Sequence, residues 1–131
     1  MIKETITYKD FDGNERTEDF YFNLKEDEIF AMEFGITGGF TAMIQRIIQA
    51  QDTPSIMKVF KDILFKSYGE KSADGKRFIK STELSIAFTQ TEAYSKLFMQ
   101  LATDSKKATD FVNGLIPSSL GEEAAKLEAV K

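Results

Sequence analysis

The side chains that could do chemistry in this chain are carboxylates, lysines, arginines and hydroxyls, because it contains neither histidine nor cysteine. That removes the residue that most often moves protons near neutral pH, the commonest metal-binding imidazole and every thiol nucleophile. Asp10, Asp12 and Asn14 around Gly13 resemble the start of a calcium loop, but position twelve of such a loop falls on Tyr21, which cannot ligate. They read instead as a hairpin turn. Glu26, Asp27, Glu28 and Glu33 offer paired carboxylates, yet no apolar pocket is evident to separate their pKa values, and a solvated first helical turn explains them better. Gly35, Gly38 and Gly39 lack the spacing of a phosphate cradle and read as a joint between helices. Lys76-Arg77-Phe78-Ile79-Lys80 mixes cations with one aromatic, a weak form of a single-strand nucleic-acid loop. No nucleophile–base pair can be assembled, so the chain reads as a binding or structural protein, not an enzyme. No metal and no cofactor is expected.

The elements that position these residues belong to one domain by size, with 131 residues and a net charge of −4. Residues 1–117 read as the globular part and 118–131 as a flexible polar tail. A chain of this length buries roughly two-thirds of its unfolded surface, so the core closes without disulfides. The absence of cysteine fits a reducing compartment. The start lacks a secretion signal, and no run approaches the roughly 20 apolar residues of a membrane span, which points to the cytosol and away from a membrane. Charge is uneven: residues 1–35 carry four basic and ten acidic side chains, residues 58–80 seven basic and three acidic. The acidic total argues against nucleic acid as a partner. The basic stretch reads as a solvated helix face or a contact for an acidic partner.

Alternation at Ile2, Glu4, Ile6 and Tyr8, a turn at Asp12-Gly13-Asn14, and alternation again from Glu15 to Phe22 predict an N-terminal β-hairpin. About six short helices follow, giving an α+β, mostly α, fold: a hairpin packed on a helical bundle. Asn23 with Glu26 is the expected first cap, and Gly35 the first stop. Phe40, Met43, Ile44, Ile47 and Ile48 make one amphipathic stripe. Thr53-Pro54 opens a helix that is apolar nearly all round, through Ile56, Met57, Val59, Phe60, Ile63, Leu64 and Phe65. Gly69 is expected to stop it and residues 70–80 to form a loop anchored by Phe78 and Ile79. Ser81, a Thr89–Glu92 capping box and Asp104 open the last three helices, with Gly114 and Pro117 ending the final one. The all-round helix has more apolar faces than a small bundle consumes, and large apolar patches mark interaction sites.

Several stretches have distinctive wording: Gln49-Ala50-Gln51-Asp52-Thr53-Pro54, Lys66-Ser67-Tyr68-Gly69-Glu70-Lys71, Phe88-Thr89-Gln90-Thr91-Glu92-Ala93-Tyr94 and Phe111-Val112-Asn113-Gly114-Leu115-Ile116-Pro117. With the Thr5-Ile6-Thr7-Tyr8 and Asp12-Gly13-Asn14 hairpin, the chain resembles tail assembly chaperones of long-tailed bacteriophages and prophages over roughly residues 2–117. The resemblance implies a non-enzymatic protein of the bacterial host cytoplasm during assembly. Its partners would be the tape-measure protein, kept soluble, and the tail-tube protein, recruited around it. It would be absent from the finished virion, and self-association stays open. A structural tail or connector subunit and a small nucleic-acid-binding regulator are the alternatives. Capture of a helical client uses apolar side chains at helical spacing. The expected contacts are Phe60, Ile63, Leu64, Tyr94, Phe98 and Leu101, with Lys61, Lys66, Lys76 and Arg77 as rim charges.

Overall fold

Alternation of apolar and polar side chains builds the N-terminal hairpin as expected. In the computed structural model, which describes residues 1–117, β1 (Ile2–Lys9) and β2 (Glu15–Phe22) pair antiparallel from Ile2 opposite Phe22 to Lys9 opposite Glu15. The tail expected at residues 118–131 lies outside the described residues. Ile6, Phe20 and Phe22 are buried under the hairpin, while Lys3, Thr5, Thr7 and Lys9 face outward. Two acids share the inner face, and each has a partner: Glu4 accepts from Lys107 Nζ at 2.9 Å, and Glu18 accepts from the Tyr8 hydroxyl. That bond, with burial and the nearby charge of Glu18, raises the Tyr8 phenol above its ordinary pKa. At the turn the Asp10 carboxylate accepts from the backbone N–H groups of Asp12 and Asn14 at 3.0 and 2.9 Å, and from Arg16 Nε at 2.6 Å. The calcium-like cluster is therefore a self-contained turn.

Among the described residues six helices follow: α1 (Glu26–Phe34), α2 (Phe40–Gln49), α3 (Thr53–Ser67), α4 (Thr82–Thr89), α5 (Glu92–Thr103) and α6 (Ser105–Leu115). Ser81 and Asp104 cap as their residue types predict, accepting from Leu84 N–H at 3.1 Å and from the Lys106 and Lys107 N–H groups. Other boundaries move. Helix α1 starts after Lys25, not Asn23, and Glu28 rather than Glu26 accepts from the cap backbone at 3.0 Å. Lys80 Nζ holds Glu28 in that place at 2.6 Å and also donates to the Asn23 carbonyl at 3.1 Å, tying the start of α1 to the segment before α4. Asp52, one residue before Thr53, precedes α3. Thr91, not Thr89, caps α5 by accepting from Tyr94 N–H at 3.2 Å, and the Thr89 hydroxyl donates back to the Ile86 carbonyl. Helix α6 runs through Gly114 to Leu115 and docks there on Ile2.

The larger correction concerns residues 70–80. They do not form a plain loop. β3 (Tyr68–Lys71) starts where α3 ends and pairs with β4 (Phe78–Ile79) as a second hairpin. Tyr21–Gly69 and Phe22–Tyr68 pairs join it to β2, so the sheet has four antiparallel strands in sequence order. Gly69 does not stop a helix; it lets strands close, since a Cβ there would lie 2.6 Å from both the Ile79 carbonyl oxygen and Phe78 Cε2. Strands of four and two residues are too short to show a period. Because β3 pairs only with Tyr21 and Phe22, residues 15–20 of β2 have no strand on that side among the described residues.

Helix α3 sits centrally, packed by α2, α4 and α5, while α5 and α6 lie against β1. A run of rings joins sheet to helices: Phe88 stacks on Tyr68 at 4.3 Å, and Phe22 meets Phe88 and Phe111 edge-on at 5.6 and 5.5 Å.

Candidate partner-binding groove

Helix α3 has to divide its apolar residues between the interior and the surface. Ile56, Phe60, Ile63 and Leu64 fall on one stripe, and all are buried, the last three at 0% exposure. Leu101 of α5 is likewise enclosed, at 1%. The expectation that Phe60, Ile63, Leu64 and Leu101 are open to a client is therefore corrected: in this conformation they are the core. All-round apolarity announces a surplus but does not say which stripe the neighbours take, and here α2, α4, α5 and the Phe111 ring of α6 take this one.

The surplus lies on the adjacent stripe. Ser55, Val59, Asp62 and Phe65 follow one another at helical spacing, and Phe65 remains 37% exposed. Opposite them, Phe40, Met43 and Ile47 present one side of α2. Ile36 from the joint, Thr89 from the end of α4 and Tyr94 from α5 close the ends. Together they enclose an open groove of about 1010 Å³, lined mainly by apolar side chains. Met43, Ile47 and Val59 are only half-buried, so their outer surfaces face the groove. Lys58 and Lys61 stand at its rim.

The joint sets the wall angle. Gly39, with φ +94°, starts α2, and Glu33 near the end of α1 is buried against it. The Glu33 carboxylate accepts from the Thr41 backbone N–H at 2.7 Å and from the Thr41 hydroxyl, covering the positive end of α2. A Cβ on Gly39 would lie 2.7 Å from Glu33 Oε2. Gly38 and Gly39 thus act as the expected joint, and Glu33 is a structural clamp.

Of the ten residues expected to meet a partner, the groove brings together Tyr94 and Lys61. Partial burial raises the Tyr94 phenol above its ordinary pKa. Phe98, half-buried, stacks on Tyr94 at 5.6 Å. Lys66 is exposed on α3 and paired to Asp62 at 3.1 Å. Lys76 and Arg77 lie apart, exposed in the turn between β3 and β4, where their backbone N–H groups are held by Asp74 and Ser72. Sequence reasoning did not single out Ile36, Lys58, Val59 and Phe65 as wall residues, and read Met43 and Ile47 only as part of an amphipathic stripe.

A family model described as phage tail assembly chaperone matches residues 1–130. The chain belongs to that family. Comparisons with curated proteins and with solved structures return no match. In this tail assembly chaperone two of the four acids weighed as a possible acid/base set have structural partners: Glu28 in Lys80, Glu33 in Thr41. Among the described residues of the chaperone, no helix is long and apolar enough to cross a membrane.

Proposed function

We propose that the α2–α3 groove receives an apolar helix of the tape-measure protein. The chaperone keeps that client soluble in the cytoplasm of the bacterial host while tail-tube subunits are recruited around it, and leaves before the particle is finished. Its action is binding, without bond chemistry. The family places the chain in tail assembly, and one observation supports the rest: a groove of about 1010 Å³ lined by Met43 and Ile47 on one side and Val59 and Phe65 on the other. A helix laid there would insert side chains at i, i+3, i+4 and i+7 between the two walls. Lys58 and Lys61 at the rim favour a client with acidic flanks.

Co-expression with the tape-measure protein tests this. Val59→Asp and Phe65→Asp change half-exposed or exposed positions, so the variants should keep the parent's circular dichroism and melting behaviour while the soluble fraction of the tape-measure protein falls. Folded variants that keep the client fully soluble overturn the reading. Stoichiometric recovery of the chain in purified particles would instead favour a structural subunit.

A further inference from the structure

We infer that the free border of β2, residues 15–20, takes an added β-strand: an extended, lysine- or arginine-bearing segment of a partner protein, paired backbone to backbone. Register decides which groups are on offer. Tyr21 pairs with Gly69, and the Asn23 N–H donates to the Ser67 carbonyl at 2.8 Å, so the odd positions of this strand turn their backbone groups away from β1. Glu15, Thr17 and Asp19 have the same orientation, and among the described residues nothing bonds to their outward N–H and C=O groups. A run of about six residues is an ordinary strand length. The other border of the sheet is not open in this way: α5 lies against β1, and Lys96 Nζ donates to the Thr7 carbonyl.

Where β3 leaves β2, a notch of about 530 Å³ opens at this border, walled by Phe20 and Tyr21 on one strand and by Tyr68 and Glu70 on the other. The surrounding charge selects the partner. Glu15 and Asp19 stand four positions apart on the outer face, and neither they nor Glu70 enter an ion pair among the described residues. Lys71 is the one base among the residues lining the notch, against Glu18, Asp19 and Glu70. Burial, then the charges of Glu70 and Glu18, raise the Tyr68 phenol above its ordinary pKa, so the notch is negative to its own side chains. Lysines or arginines four positions apart on an added strand would lie opposite Glu15 and Asp19 as cross-strand pairs of opposite charge. Main-chain bonds supply the affinity and those pairs the choice of partner. The notch and the α2–α3 groove share no lining residue, so this contact is separate from the client site.

Two synthetic peptides of ordinary strand length, about eight residues, test the inference: one alternates lysine with valine, the other glutamate with valine. At about nine-tenths occupancy the lysine peptide should slow amide exchange at Glu15, Thr17 and Asp19 of the full chain about tenfold, read by NMR. Exchange at Arg16 and Glu18, whose N–H groups face β1, should not change. The glutamate peptide should have no effect, and Glu15→Lys combined with Asp19→Lys should reverse the preference. Thr17→Pro removes one outward N–H and no charge, a change that edge strands tolerate. It should weaken the lysine peptide about tenfold, the worth of about one hydrogen bond. Both variants are checked for the parent's circular dichroism; if the proline variant unfolds, the charge reversal decides alone. Equal binding of the two peptides, protection elsewhere or nowhere, or a folded Thr17→Pro variant that binds like the parent overturns the inference. Protection of those amides that grows with protein concentration, without peptide, also overturns it and makes the occupant a second copy. None of these substitutions touches the groove, so failure here leaves the client reading standing.

Discussion

Glu33 shows how one side chain fixes the site without touching a partner. The residue is 5% exposed, and its carboxylate covers the start of α2 through Thr41. Glu33→Ala leaves a buried N–H and hydroxyl unmet, so a loss of about 1–3 kcal/mol is expected in urea denaturation. Glu33→Gln keeps an acceptor and should cost less. At the hairpin turn, Arg16 and then the Asn14 N–H hold the Asp10 carboxyl below the usual carboxylate range. A folded-state pKa depressed in this way contributes stability above the ordinary carboxylate value, and that stability is lost as pH falls through the depressed one. NMR titration of Asp10 should therefore show a low midpoint that rises in Arg16→Ala, with the turn loosening only at the acid end. Since its Arg16 partner stands half-exposed at the surface of the turn, the melting temperature near neutral pH should barely depend on the pair.

Among elements, the second hairpin is the sharpest case. Gly69→Ala would force a Cβ to 2.6 Å from the Ile79 carbonyl oxygen, so β3 and β4 must separate. Lower urea stability and faster amide exchange around Glu70 and Ile79 are expected, with α1 and α2 less affected. Much of the element order was legible: the first hairpin, six helices, the Gly38-Gly39 joint and the Ser81 and Asp104 caps all follow from local residue types. β3 and β4 were not legible, because their pairing is decided by where β2 ends, which is a tertiary fact. Caps misplaced by two residues have a similar origin. Glu28 caps α1 while bonded to Lys80, a partner 52 positions away.

At the scale of the molecule, sequence supplied the surplus of apolar residues on α3 but not its direction. Phe60→Ala should cost about 3–5 kcal/mol in thermal or urea unfolding, since the ring is fully enclosed and leaves a cavity. Any loss of client handling in that variant would reflect unfolding, whereas Val59→Asp separates the two. Only a packed structure can assign the stripes, because Val59 and Phe60 differ by one step along the same helix. A handler of sticky polypeptides also has to avoid polymerising with its own kind. Residues 15–20 of β2, which pair with no strand on that side among the described residues, carry Glu15, Glu18 and Asp19 against the single base Arg16. Two molecules meeting along that border would set like charges against one another, which works as a fence against runaway stacking.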